Sequence, residues 1–160
     1  EAAVGVPRAL LGPITDDFYA NDFGALRSCT QRRPLARPLV EYVLGSGRKA
    51  VLATNPLFPR SAILQRMEWA GVADLPFALV TSYEIMHSAK PNPSYFAEIA
   101  AMISTPAEKC LMVGDDHAMD SPSMQVGMRF FWINPQPPFD STRGDLAHFD
   151  SLVRAGLLDN

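Results

Sequence analysis

The sequence predicts an α/β protein built on a doubly wound parallel sheet. Short apolar runs bounded by turn residues alternate with helix-patterned segments along most of the chain. The runs lack polar alternation, as strands covered on both faces require. Of the 160 residues, 48% are hydrophobic and 19% charged, a balance that excludes a disordered or fibrous chain. A chain of this length buries a core without a disulfide or metal staple.

The elements follow in order. Residues 15 to 29 read as a helix, with Thr15 as its cap, Asp16 and Asp17 at its positive end, and Phe18, Phe23 and Leu26 as its apolar face. Residues 38 to 44 form a second helix, with Pro38 in its first turn and Gly45 and Gly47 as stops. The run 49 to 54 is a buried strand. A helix over 60 to 70 closes at Gly71, and 78 to 81 is the second strand. Asn92 caps a helix over 93 to 103, with Pro93 at its first position and Tyr95, Phe96, Ile99 and Ile103 as the buried stripe. The third strand covers 110 to 113 and ends at Gly114. A short helix over 122 to 126 stops at Gly127, and 129 to 133 is the fourth strand. Residues 135 to 138, Pro-Gln-Pro-Pro, form a stiff surface loop. The last helix runs from 145 to 157, with Leu146, Phe149, Leu152 and Val153 on one face.

Fourteen Lys and Arg against 17 Asp and Glu give a net charge of −3. No basic stripe for nucleic acid follows from that balance. No run of about 18 apolar residues suggests a membrane span. Cys29 and Cys110 are too few for a disulfide framework, and reduced thiols fit a cytoplasmic location. No Cys or His spacing suggests zinc. His117 reads as an exposed loop histidine; Met67, Trp69 and Trp132 read as packing residues.

In such sheets the chemistry sits outside the carboxyl ends of the strands. The third strand ends in Gly114-Asp115-Asp116-His117-Ala118-Met119-Asp120. Carboxylates this close repel unless they share a cation or a donor. Oxygen ligands of this kind, with waters and a phosphate, suit Mg²⁺. That makes Asp115 and Asp116 the candidate metal ligands; Asp116 and Asp120 can also cap the next helix. The first strand ends in Thr54-Asn55-Pro56, where a hydroxyl and the next N–H can hold a phosphate oxygen. Lys90 lies in Ser88-Ala89-Lys90-Pro91-Asn92-Pro93, just before a helix, placed to meet an anion.

Together these residues resemble the haloacid dehalogenase-like (HAD) hydrolase superfamily over roughly residues 34 to 158. Its second motif, an apolar strand ending in Ser or Thr, is matched by Val51-Leu52-Ala53-Thr54-Asn55. Its third, a lysine before a helix, is matched by Lys90-Pro91. Its fourth is matched by Leu111-Met112-Val113-Gly114-Asp115-Asp116 with Asp120 downstream. The resemblance implies a Mg²⁺-dependent phosphatase acting on a small phosphorylated molecule through an aspartyl-phosphate. Thr54, Asn55 and Lys90 would bind the phosphoryl group, and Thr54 and Lys90 would take part in catalysis. Asp115 and Asp116 would hold Mg²⁺, and Asp120 would orient Lys90 or the metal's waters.

One departure outweighs the matches. The family's first motif is a strand ending Asp-x-Asp whose first Asp is the nucleophile, and no Asp-x-Asp occurs in this sequence. A smaller one is Pro56, where many relatives have Gly. The expectation is a C-terminal part of a family member. Residues 1–33 would be a remnant of the helical cap region and 34–160 an incomplete α/β core, its central strand missing between the runs 49–54 and 110–113. The 160 residues alone are expected to be inactive. The competing expectation is a non-catalytic binding module with the same sheet. An unrelated nucleotide-binding domain is disfavoured, because no glycine-rich loop follows a strand.

Overall fold

The computed structural model describes the backbone of residues 8–159 and the side chains of 12–159. Helical segments are α1 (Arg8–Asp17), α2 (Ala36–Gly45), α3 (Arg60–Ala70), α4 (Pro93–Met102), α5 (His117–Asp120) and α6 (Leu146–Arg154). The strands are β1 (Val51–Leu52), β2 (Leu79–Val80), β3 (Leu111–Gly114), β4 (Arg129–Ile133) and β5 (Arg143–Gly144). Every strand pair is parallel.

The sheet is in two pieces. β1 pairs with β2, and β3, β4 and β5 form a second sheet in that order. β1 and β3 do not pair. Between them lies a cleft of about 620 Å³, lined on one side by Val51, Leu52 and Ala53 and on the other by Leu111, Met112 and Val113.

The side-chain alternation of the strands distributes the core. Met112 of β3 faces one layer, with Tyr95, Phe96, Ile99 and Ala100 of α4. Val51 of β1 and Leu79 of β2 pack against the same layer, so α4 bridges both sheets. On the opposite face the core divides. Leu111 and Val113 meet Leu39 of α2 and Phe149 and Val153 of α6. Leu52 and Val80 meet Ile63 and Met67 of α3. Helices therefore cover both faces, as the apolar runs predict.

Several local readings need correction. α1 already covers Arg8–Asp17, so Thr15 lies inside it and its hydroxyl donates to the Gly12 carbonyl at 2.9 Å instead of capping. Asp16 and Asp17 end α1 rather than open a helix. Residues 18–29 remain helical but pass through a π turn (Phe18–Asp22) and a 3₁₀ stretch (Phe23–Cys29). Here packing overrides the ideal period. Phe23, 4% exposed, stacks on Trp69 of α3 with ring centroids 5.3 Å apart, and the Gln65 amide donates to the Tyr19 carbonyl. β5 has no apolar run to announce it and is absent from the sequence reading. The expected cap at Asn92 is present, its donor being the Ser94 N–H, and Asp145 caps α6 by accepting from the His148 N–H.

Candidate functional site

The site is built at the carboxyl ends of β1, β2 and β3. Two residues beyond β1 lies Thr54, whose carbonyl accepts from the Tyr95 hydroxyl at 2.7 Å and from the Thr81 hydroxyl at 2.8 Å. Thr81 follows β2 directly, and both it and Tyr95 are 0% exposed. The Asn55 N–H makes no hydrogen bond among the described residues, and the Asn55 Oδ1 is buried without a partner. A strand end with a free N–H and a half-buried hydroxyl is an anion-binding corner.

Lys90 lies in the loop before α4 and approaches the ring of Tyr95, the residue that donates to the Thr54 carbonyl. Its ammonium donates to Asp120 Oδ1 at 2.6 Å, with side chains 8% and 5% exposed. The ammonium has three donors, and Asp120 takes one. It also lies 5.8 Å from the centroid of the Tyr95 ring. Thr54, Tyr95, Lys90 and Asp120 thus form one connected chain of contacts from the end of β1 to the segment after β3.

Gly114 makes that chain possible. A Cβ at Gly114 would collide with the Asp120 carboxylate. The glycine is demanded here by close approach, and its φ is not positive.

The acidic loop after β3 divides its work. Asp115 is exposed, and its carbonyl accepts from the Trp132 indole at 3.1 Å. The Arg143 guanidinium lies 4.9 Å from the Trp132 ring centroid, and the His117 ring packs edge-on at 5.0 Å. Asp116 caps α5: its Oδ1 accepts from the Ala118 and Met119 N–H groups, each at 3.1 Å. Among the described residues, no group of three or more His, Cys, Asp or Glu side chains converges on a point that could hold a metal. The donor set nevertheless fits Mg²⁺. Asp115 and the second Asp116 oxygen are hard ligands, and this ion takes one or two carboxylates together with waters and a substrate phosphate.

The structure brings Thr54, Lys90 and Asp120 together through Tyr95 and sets Asp115 and Asp116 at the adjacent strand end. The sequence reading assigned Tyr95 only to the buried stripe and gave Thr81 no role. The signal for Tyr95 was its position in the first turn of α4, just after Lys90. Trp132 likewise holds the Asp115 loop, a role hidden by its placement in a strand.

In open parallel α/β sheets, ligands bind outside the carboxyl ends of the strands. The chain belongs to the haloacid dehalogenase-like hydrolases: the sequence model of that family matches residues 5–126. A search of curated protein sequences finds no match. Solved structures do match. A HAD phosphatase from Thermococcus onnurineus superposes with a TM-score of 0.67 at 20% identity, over 82% of this chain and 61% of that one. A 2-haloacid dehalogenase from Pseudomonas syringae pv. Tomato gives 0.60 at 25% identity, over 78% and 54%. The Bacillus subtilis HAD-hydrolase YfnB, solved bound to magnesium, gives 0.61 at 21%, over 78% and 55%. The match thus spans about half to three-fifths of those chains. Among the described residues no helix is long and apolar enough to cross a membrane.

Proposed function

We propose that this chain carries the phosphoryl-binding and metal-binding part of a Mg²⁺-dependent phosphatase acting on a small phosphorylated molecule. The observation that carries the reading is the buried Lys90–Asp120 pair, joined through Tyr95 to the Thr54–Asn55 peptide, whose N–H has no partner among the described residues. Asp120 fixes the ammonium in place and leaves it donors for an anion. The Thr54 hydroxyl and the Asn55 N–H would take phosphoryl oxygens on the other side. Asp115 and Asp116 would hold Mg²⁺, which neutralises phosphoryl charge when bound. The site then offers preorganised positive charge where the transferring group needs it.

The attacking group is a carboxylate that these 160 residues do not contain in the family's Asp-x-Asp form. We place it on a strand seated in the cleft between β1 and β3, whose apolar walls and open edges suit one more parallel strand. Its carboxylate would form the bond to phosphorus while the alcohol leaves, and water would then cleave the aspartyl-phosphate. Residues 1–33 would be part of the cap that helps to select the substrate. The likeness to a 2-haloacid dehalogenase raises carbon–halogen substrates as a second reading. The paired Asp115 and Asp116 favour the phosphatase.

The test is turnover of a generic aryl phosphate and of a 2-haloacid, with and without Mg²⁺, by the chain extended upstream to include an Asp-x-Asp strand. Mg²⁺-dependent phosphate release, lost in Lys90→Ala, is the expected result. Halide release without metal would overturn the phosphatase. Inactivity on both substrates would favour a binding module.

A further inference from the structure

We propose that Tyr95, backed by Thr81, is the positioning residue that sets both halves of the anion site. The proposal rests on the phosphoryl-site reading above and deepens it.

The geometry centres on one carbonyl. The Thr54 C=O has two acceptor lone pairs, and it receives two donors, Tyr95 at 2.7 Å and Thr81 at 2.8 Å. The Thr81 hydroxyl also lies 3.2 Å from the Leu52 carbonyl and 3.1 Å from the Tyr95 oxygen, and its 2.8 Å contact with Thr54 is the shortest of the three. Both donors are 0% exposed, so water does not compete for the carbonyl. A saturated carbonyl fixes the peptide plane. In a planar trans peptide the N–H points opposite to the C=O. The Asn55 N–H is therefore aimed away from the Tyr95–Thr81 pair and has no partner among the described residues. Hydrogen bonds to the carbonyl also polarise the peptide and strengthen its N–H as a donor. Burial pushes the Tyr95 phenol up to about 12, so the hydroxyl keeps its proton.

The same side chain reaches the other half. The Lys90 ammonium sits 5.8 Å from the Tyr95 ring centroid, within cation–π range, while Asp120 holds it from another direction. The cap at Asn92 and the first turn of α4 fix Tyr95 between the two. Tyr95 thus touches the peptide that would donate to the phosphoryl oxygen and the lysine that would neutralise it.

The experiment measures binding of inorganic phosphate to the 160-residue chain by equilibrium dialysis, with Mg²⁺ present. The variants are Tyr95→Phe, Thr81→Val, Thr81→Ser, Thr54→Ala and Lys90→Ala. Far-ultraviolet circular dichroism confirms that each keeps the wild-type helical signal. Tyr95→Phe keeps the ring and loses only the hydroxyl; Thr81→Val keeps the shape. Each should weaken phosphate binding about 3- to 10-fold, the scale of one hydrogen bond. Thr81→Ser should stay within about twofold of wild type, because it retains the donor. A purely structural role for Thr81 would not separate Ser from Val in this way. Wild-type affinity in both Tyr95→Phe and Thr81→Val, with binding lost in Thr54→Ala and Lys90→Ala, would overturn the positioning role and leave the phosphoryl site standing. Phosphate binding unchanged in Lys90→Ala and Thr54→Ala would overturn the site itself.

Discussion

Asp120 shows how much can depend on one side chain. It is 5% exposed and bonded to a lysine that is 8% exposed. Removing one partner of a buried pair leaves a charge without compensation, at about 3–5 kcal/mol. Asp120→Ala should therefore lower the unfolding free energy from urea titration by an amount of that order. Replacing both residues with apolar ones, Lys90→Met with Asp120→Leu, should recover most of the loss. A single variant as stable as wild type would show that the pair is solvated in solution. Tyr95 gives a pH dependence with a definite sign. Its phenol is raised from 10.0 to about 12, chiefly by burial, with the Asp120 and Glu98 charges adding and the Thr81 hydrogen bond opposing. The folded state holds this proton more tightly than the unfolded state. The stability it contributes, about 2–3 kcal/mol, is complete below pH 10 and is lost as pH rises from 10 to 12. Urea midpoints measured between pH 9 and 11.5 should fall less steeply for Tyr95→Phe than for wild type. Parallel curves would remove the phenol as the cause.

At the scale of elements, β3 and the segment after it work as a unit. Gly114 pairs with Trp132 in the β3–β4 register, and Asp120 folds back against the bare Gly114 Cα. A methyl group there must push either the strand or the carboxylate aside. Gly114→Ala should cost about 1–3 kcal/mol and should weaken phosphate binding, because Lys90 loses its anchor. Retained affinity in that variant would show that Lys90 needs no such anchor. The sequence made much of this legible. The end of β3 at Gly114 followed from an apolar run closed by polar residues, the run 49 to 54 contains the shorter β1, and the helix over 60 to 70 closes at Gly71 (φ 74°) as read. What escaped was tertiary. The position of Tyr95 after Lys90 hints at a place near the site, but not at a hydrogen bond to a residue 41 positions away. Residues 18–29 depart from a regular α-helix because Phe23 must reach Trp69, a contact with no local pattern. The two residues of β5 pair only because β4 lies beside them.

At the scale of the molecule the cleft dominates. α4 holds the two sheets together on one face, while the opposite face carries two separate clusters. The apolar edges of β1 and β3 line a space of about 620 Å³. Open apolar strand edges invite pairing with other chains, and unpaired polar groups shielded from water cost about 1–3 kcal/mol each. The 160-residue chain should therefore self-associate, bind a hydrophobic dye, and exchange the amides of β1 and β3 faster than those of β4. An upstream apolar strand should suppress all three. A monomeric chain with slow exchange at β1 and β3 would show that the cleft closes by itself.

The same cleft leads to the expected inactivity of these 160 residues on phosphate esters. Thr54 and Lys90 can hold a phosphoryl group and Asp115 can hold a metal, but binding does not supply an attacking atom. Thr54 offers a hydroxyl, but among the described residues its Oγ1 donates only to the Asn55 carbonyl, at 3.2 Å, and meets no base. Activation of a hydroxyl needs a partner that accepts its proton. Residual electrostatic effects after loss of a nucleophile are orders of magnitude weaker than the full reaction. The open cleft weakens even these, because groups on β1 and β3 are joined mainly through α4 and hold their spacing less rigidly. The measurement compares aryl phosphate turnover with Mg²⁺ for the 160-residue chain and for the chain extended by an Asp-x-Asp strand. Activity should appear only in the extended form and fall sharply in Asp115→Asn. Turnover by the 160 residues alone, abolished by Asp115→Asn, would mean that the nucleophile already lies within this sequence.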